Sequence, residues 1–222
     1  MNVKLLIAMA LIAALSAGEP AAPENSVGVP PKIEFSVSQI PDEALEDIVG
    51  VSWKEGCPVA ISDLRLVKVA FVDFGGVARS GELVAHKAVA EELADIFRDL
   101  FVAGFPIERV ELIDRYGADD GLSMEANNSS AFNYRTVAGT SSLSMHAYGL
   151  AVDINPAQNP YISRGNVSPE AARAYLDRSD ARPGMVLRGG AAHEAFTSRG
   201  WTWGGDWTSP VDYQHFQKNV DL

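Results

Sequence analysis

Two short segments of the sequence each combine a histidine with an aspartate. The first places His146 and Asp153 on either side of an apolar stretch that carries Gly149 in its middle. A carboxylate in an apolar strand is costly unless a cation or a hydrogen-bond donor compensates it. The spacing therefore indicates a polar or metal-binding site, and an ordinary hydrogen-bonded pair of His146 and Asp153 is the alternative interpretation.

The second segment places Asp212 three residues before His215. On a helical turn this spacing puts both side chains on the same side. His146, Asp153 and His215 would supply two nitrogens and one oxygen, which is typical of a catalytic zinc site because a fourth position stays open for water. Asp212 would then lie beside that water. The sequence has a single cysteine, so any metal must be held by His, Asp or Glu.

Composition bounds the possible functions. The chain has 222 residues, of which 47% are hydrophobic and 21% charged, as expected for one domain with a substantial core. The formal net charge of -11 argues against binding to nucleic acid or to an anionic membrane surface. The lone Cys57 excludes an intramolecular disulfide framework and a cysteine-rich zinc module.

The N-terminus is typical of a secreted protein. An apolar run from Leu5 to about Leu15 ends in small residues, which predicts a signal peptide over residues 1–18. The run is shorter than the roughly 20 residues of a membrane span, so an uncleaved anchor is the less favoured alternative. Residues 19–32 are rich in Pro, Ala and Glu and predict a flexible leader. The folded domain is expected over residues 33–222, in the periplasm or outside the cell, as a monomer without stable membrane insertion.

The remaining patterns predict an α+β fold in one small domain. Strand-like segments around Leu64–Val72 and Glu82–Val84 flank Gly75 and Gly76 and suggest a hairpin. Apolar residues at helical spacing predict a helix within residues 85–103. Further expectations are a short helix from Pro41 to Gly50, a strand over 110–113, a long loop over 114–130, a strand over 150–154, a helical start after Ser168 and a helix over 191–199.

In these segments the sequence resembles the zinc D-alanyl-D-alanine carboxypeptidase family. That family includes vancomycin-resistance carboxypeptidases and dipeptidases, and phage L-alanyl-D-glutamate endopeptidases. Members share a Ser-x-His-x-x-Gly-x-Ala-x-Asp pattern. Every position of it is filled here, by Ser144, His146, Gly149, Ala151 and Asp153. The resemblance covers roughly Trp53 to Gln217. Further similar segments are Asn159-Pro160-Tyr161, Gly200 to Trp207, Asp212 to Phe216, Cys57-Pro58-Val59, Asp73-Phe74, Gly81 to Val84 and Phe105-Pro106-Ile107.

The resemblance implies one zinc ion per chain, held by His146, Asp153 and His215. It also implies a small α+β fold around an antiparallel sheet flanked by helices, and hydrolysis of peptidoglycan stem peptides. Where the dipeptidase branch has glutamate three residues before the last histidine, this chain has Asp212. The shorter acid also occurs in the endopeptidase-like branch, so this departure blurs which bond is cut, D-Ala-D-Ala or L-Ala-D-Glu.

Two residues are candidates for catalysis. Asp212 would take the proton of the attacking water and pass it to the leaving amine, or it would instead orient His215 from behind. Arg135 matches a family arginine that is thought to stabilise the oxyanion or to hold a substrate carboxylate, and a planar, permanently charged guanidinium suits either task. A surface ion pair is the alternative interpretation of Arg135.

Other polar and aromatic residues have structural interpretations. Ser144 is expected to cap or to hydrogen-bond near the metal site. His86 and His193 are expected to be exposed or capping, with a smaller chance that His193 reaches the cleft. Three tryptophans are expected in the core and in tight turns rather than on a sugar platform, namely Trp201, Trp203 and Trp207.

Three classes of function survive. The first is a secreted zinc peptidase acting on peptidoglycan, most simply as a D-Ala-D-Ala carboxypeptidase and alternatively as an L-Ala-D-Glu endopeptidase. The second is a non-catalytic protein of the same fold that keeps zinc and binds wall fragments, which the acid at 212 argues against. The third is a calcium-stabilised wall-binding module, which two histidine ligands disfavour because calcium prefers oxygen.

Overall fold

The computed structural model describes residues 33–222. The expected signal peptide (1–18) and leader (19–32) lie outside the described residues. Within the described part, no helix combines the length and the apolar character that crossing a membrane would require.

A three-stranded antiparallel sheet forms the first half of the fold. It is built from β1 (Ser36–Ser38), β2 (Leu64–Val72) and β3 (Ala78–His86) in that order. The β2–β3 pair is the predicted hairpin, and its turn is closed by Asp73, whose carboxylate accepts from the backbone of Gly75 and Val77. Alternate strand positions are buried against the helix that follows, so the hairpin provides one wall of the core.

The helix predicted within 85–103 is present as α2, Ala90–Val102. It begins later than predicted because Ala85 and His86 still pair in β3. Its apolar face is fully buried on the sheet. The short helix after Pro41 is also present as α1, Asp42–Ile48, and buries Ile48 in a smaller cluster on the other side of the sheet.

A second antiparallel sheet carries the chemistry. It consists of β6 (Ala151–Asp153), β11 (His215–Gln217) and β9 (Thr202–Trp203), in that order. Helix α4, Ala191–Thr197, packs on this sheet and on α2, with Phe196 stacked on Phe216 at 4.0 Å between ring centroids. Both halves therefore share one core.

Smaller elements close the structure around the second sheet. A third antiparallel sheet contains β10 (Val211–Asp212), β7 (Tyr161–Ser163) and β8 (Asn166–Ser168), in that order. Strand β4 (Arg109–Val110) pairs in parallel with β5 (Asn128–Ser129). Short 3₁₀ helices lie at Ile61–Asp63, Ile113–Tyr116, Met145–Tyr148, Glu170–Tyr175 and Gly204–Asp206. The expected α+β class is confirmed.

The region from 110 to 130 differs from the prediction. The expected strand over 110–113 ends at Val110, and Ile113 already belongs to a 3₁₀ helix. The expected loop of 114–130 contains α3, Asp120–Glu125, which Asp119 caps by accepting from the backbone of Leu122. A helix of six residues is too short to show an apolar period, so only its capping residue marked it in the sequence.

Candidate metal centre

His146 is positioned by a short 3₁₀ helix, Met145–Tyr148. Ser144 caps this helix, as expected, because its hydroxyl accepts from the backbone N–H of His146 at 3.3 Å. The ring nitrogen Nδ1 of His146 faces the carbonyl of Ala131, and a carbonyl only accepts, so Nδ1 carries the proton. The other ring nitrogen, Nε2, points away from Ala131 and into the site.

Gly149 ends that 3₁₀ helix in a left-handed conformation, at φ +68°. A Cβ at this position would lie 2.6 Å from the backbone nitrogen of His86. That nitrogen donates to the Gly149 carbonyl at 2.9 Å, which joins the His146 turn to the end of β3. The glycine of the sequence pattern is thus required by backbone contact beside the site.

Asp153 and His215 come from neighbouring strands, β6 and β11, where they are directly paired. His215 Nδ1 lies 3.0 Å from Asp153 Oδ1, and His146 Nε2 lies 3.2 Å from Asp153 Oδ2. The two histidine nitrogens are themselves 3.2 Å apart. All three residues are buried, with exposed fractions of 2%, 2% and 6% for His146, Asp153 and His215.

The donor set fits a divalent cation such as zinc. Ligand atoms about 2.0–2.1 Å from a tetrahedral zinc lie about 3.3 Å from one another, close to the spacing seen here. His215 Nε2 donates to Gln217 Oε1 at 3.0 Å, so Nδ1 of His215 and Nε2 of His146 are the ring nitrogens that would give a lone pair to a bound cation. Metal-ligating histidines are commonly oriented by an acceptor behind the ring in this way. The three residues form a group that could hold a metal ion.

The electrostatics of the trio are those of a site built for positive charge. Burial alone would raise the pKa of Asp153, but His146 and His215 outweigh it and hold that pKa far below its usual range. Burial opposes protonation of His215, yet its hydrogen bond to Asp153 raises the pKa of the imidazole to about 8. The carboxylate therefore stays ionised and attracts a cation.

Asp212 lies beside the trio, but not on the helical turn that the sequence predicted. It ends β10, and His215 begins β11 after a bend. Both side chains nevertheless line the same cleft. The bend is packed tightly, since a Cβ at Gly204 would lie 2.6 Å from the Asp212 carbonyl. A bend between two strands therefore brings Asp212 to the site. The three-residue spacing of Asp212 and His215 in the sequence is the same for such a bend as for a helical turn.

The Asp212 carboxyl is buried at the cleft. Its Oδ1 has no hydrogen-bond partner among the described residues, and the residue is 8% exposed. Burial, and then the charge of Asp153, raise the pKa of Asp212 to about 8. A carboxyl held in this condition is poised to exchange a proton near neutral pH, and a cation in the site would lower its pKa.

Arg135 reaches the same cleft and forms an ion pair there. Its Nη2 lies 3.0 Å from Asp120 Oδ2, and both residues line the cleft. The structure thus places Arg135 at the site, as the sequence predicted, rather than on the outer surface. Asp120 was missed by sequence reasoning because it fell in the presumed loop of 114–130. The adjacent Asp119-Asp120 pair, a helix-capping signal, would have been the clue.

The cleft has a volume of about 330 Å³, and its lining combines charged and apolar residues. The apolar residues are Val137, Ala138, Leu143, Met145, Trp207 and Pro210. Two larger cavities, of about 410 and 600 Å³, lie between the outer face of the first sheet and α1 or residues 110–115, and no histidine lines them. The chemistry of the molecule is therefore concentrated in the smaller cleft.

The remaining histidines and tryptophans have structural surroundings. Trp201 and Trp203 are buried in the core, as expected, whereas Trp207 is half-buried at the cleft with its ring 5.4 Å from that of His215. The expectation that His86 is exposed or a helix cap is wrong: it is buried, and its Nδ1 accepts from the backbone N–H of Ala88 in the turn before α2, whose N-cap is Val89. The expectation of an exposed His193 is wrong, because it is 8% exposed and packs edge-on against Trp203 away from the cleft lining.

Comparison with known proteins agrees with this geometry. Residues 138–218, a little over a third of the chain, match the sequence model of the family described as D-alanyl-D-alanine carboxypeptidase. The resemblance to that family is confirmed over this segment. No curated protein and no solved structure matches the chain significantly.

The matched segment holds four of the five predicted site residues. His146, Asp153, Asp212 and His215 all lie within residues 138–218, the segment that is similar to the D-alanyl-D-alanine carboxypeptidase family. Arg135 lies three residues before it, and Asp120 lies further upstream. The interpretation of these two residues therefore depends on the structure of the cleft.

Proposed function

We propose that the protein is a secreted zinc metallopeptidase that hydrolyses peptidoglycan stem peptides, with a D-Ala-D-Ala carboxypeptidase activity. The observation that carries this proposal is the site itself. Two buried histidine nitrogens lie 3.2 Å apart, and each lies 3.0–3.2 Å from one oxygen of the Asp153 carboxylate. In the same cleft, one oxygen of the Asp212 carboxyl has no hydrogen-bond partner among residues 33–222. The family match over 138–218 supports the same class of reaction.

The zinc ion would be held by His146 Nε2, His215 Nδ1 and the Asp153 carboxylate. When bound, zinc supplies a Lewis acid that polarises the scissile carbonyl and brings the pKa of water to about 7. Ala131 and Gln217 hold the opposite ring nitrogens, and the two histidines would therefore be oriented to bind the ion.

In this proposal Asp212 is first the general base and then the general acid. It accepts a proton from the attacking water and then delivers it to the amine that leaves when the peptide bond breaks. Its position beside the ligands, without belonging to the trio, leaves its carboxyl available for this transfer. Its burial next to Asp153 favours the protonated form after the first step, which makes the return of the proton possible.

Arg135 supplies the positive charge for the substrate. Its guanidinium lies at the cleft, where it would pair with the developing oxyanion or with the terminal carboxylate of the stem peptide. The apolar residues of the cleft lining would contact the methyl groups and aliphatic stems of the peptide. The acidic protein would act in the periplasm or outside the cell, where peptidoglycan is found.

The test is to incubate the purified chain with muropeptides that carry pentapeptide stems and to identify the products by mass. Loss of the single terminal alanine supports the carboxypeptidase, whereas release between L-Ala and D-Glu assigns the endopeptidase of the same family. Zinc content is measured on the same sample, and Asp212→Asn serves as the matched inactive control. A fully metallated protein that binds muropeptides and cleaves none of them would identify a wall-binding protein instead.

A further inference from the structure

The Arg135 guanidinium has one close anchor. The backbone of this irregular segment is fixed, since the Arg135 carbonyl accepts from Ser144 N at 3.1 Å. The side chain is long, and its Nη2 lies 3.0 Å from Asp120 Oδ2. Nη1 reaches the Thr136 carbonyl only at 3.5 Å, and Nε has no hydrogen-bond partner among residues 33–222. Asp120 is therefore the group that determines where the charge of Arg135 lies.

Asp120 is itself held firmly. It is the first residue of α3, which Asp119 caps through Leu122 N at 3.0 Å. The helix is tied to the parallel β4–β5 pair, because Ser123 Oγ accepts from buried Asn128 at 3.1 Å. The Asn128 side chain also accepts from Glu111 N at 2.8 Å. The Asp120 carboxylate thus projects from a capped and anchored turn, not from a loose loop.

The cleft contains competitors for the same guanidinium. Asp153 and Asp212 are two further carboxyl groups in its lining, and Arg135 is the single lysine or arginine among the lining residues of the described chain. Opposite charges attract strongly in a buried cleft. Without Asp120, the flexible Arg135 side chain would be free to move towards Asp212, whose Oδ1 has no hydrogen-bond partner within the described part of the chain.

We propose that Asp120 is a positioning residue that anchors the Arg135 guanidinium in the cleft and keeps it from pairing with Asp212. The anchoring is a property of the chain alone. Its consequence for hydrolysis rests on the proposed function. A guanidinium paired with Asp212 could no longer bind the substrate, and it would also prevent the Asp212 carboxylate from accepting a proton. Asp120 itself touches neither substrate nor metal in this assignment.

The kinetic test is a double-mutant cycle on the full chain, with kcat/KM for muropeptide hydrolysis and zinc content measured together. We expect Asp120→Asn to keep its zinc and lose at least about tenfold in kcat/KM, the size of one charge-assisted contact. In an Arg135→Ala background, Asp120→Asn should lower kcat/KM by less than about twofold. Asp120→Glu, which keeps the charge, should recover part of the loss. Asp95→Asn breaks an exposed ion pair with Arg98 on α2 and should leave hydrolysis unchanged.

The second readout does not depend on turnover. The ¹⁵Nε–Hε group of Arg135 is followed by NMR relaxation, and we expect it to be ordered in the wild-type chain and mobile or displaced in Asp120→Asn. Equal order in both chains overturns the proposal, as does a full-sized kinetic loss in the Arg135→Ala background. If the wild-type chain cleaves no muropeptide, the proposed function fails, and the NMR comparison still decides whether Asp120 anchors Arg135.

Discussion

Asp153 and His215 face each other across the antiparallel pair of β6 and β11, with His215 Nδ1 3.0 Å from Asp153 Oδ1. Two of the three candidate ligands are therefore placed by strand register. A slip of one residue would turn one of these side chains to the opposite face of the sheet. The third candidate, His146, is independent of the register and comes from a capped 3₁₀ helix.

The first prediction concerns the metal ligands. We expect His146→Ala, Asp153→Ala and His215→Ala each to remove zinc from the purified protein, because losing one of three ligands sharply weakens such a site. Elemental analysis after dialysis measures the zinc-to-protein ratio, which should be near one for the wild-type chain.

His193→Ala is the matched control for these variants. His193 is a buried histidine whose neighbour is Trp203, and it does not line the cleft. It should keep its zinc even if the protein becomes less stable. Full zinc in all three ligand variants would refute the ligand set.

The second prediction concerns Asp212. Asp212→Asn keeps the size of the side chain but cannot accept a proton, so we expect zinc and thermal stability to be retained while turnover falls by about 10²–10⁴. Muropeptide hydrolysis and zinc content are measured side by side, with and without added zinc.

The two interpretations of Asp212 give different patterns in that experiment. If Asp212 only orients His215, the variant should bind zinc weakly and regain activity in excess metal. If Asp212 is instead the general base, excess metal should not restore the lost activity. Near-normal hydrolysis by a fully metallated variant would remove Asp212 from the mechanism.

Much of this fold was predictable where the chain has a regular apolar period. The β2–β3 hairpin and α2 follow from alternation and from helical spacing, because each element buries one long face in the shared core. The ligands were predictable for a different reason. A buried acid and two histidines are costly without a cation, so their presence in apolar segments already indicated a site.

The rest depends on tertiary contacts that leave no period in the sequence. The corner between Asp212 and His215 has the same spacing as a helical turn, and only the pairing of β10 with β7 and of β11 with β6 decides between the two. Asp120 was hidden for a similar reason, since α3 has six residues and is held by side-chain hydrogen bonds rather than by an apolar face.

The third prediction concerns Arg135. We expect Arg135→Lys to lower kcat/KM by at least about tenfold, because a lost charge-assisted bond is worth about 1.5–3 kcal/mol and an ammonium cannot reproduce the planar fork. Zinc content should stay unchanged, since Arg135 is not a ligand. Steady-state kinetics on muropeptides provide the measurement, and wild-type values would return Arg135 to a purely structural ion pair with Asp120.

The last prediction concerns the glycine of the sequence pattern. Gly149 and Gly76 both have positive φ, +68° and +78°, but a Cβ at Gly149 would meet His86 N at 2.6 Å, whereas one at Gly76 would meet nothing within 4 Å. Both alanine variants carry a left-handed strain of about 1–2 kcal/mol. Gly149→Ala must also displace the His146 turn from β3, which should lower the free energy of unfolding by a further amount of about 1–3 kcal/mol. We therefore expect Gly149→Ala to unfold at clearly lower denaturant concentration than Gly76→Ala and to bind zinc more weakly, while Gly76→Ala keeps wild-type zinc affinity. Chemical denaturation and zinc titration of the two variants check this, and equal stability and affinity in both would show that the turn tolerates the displacement.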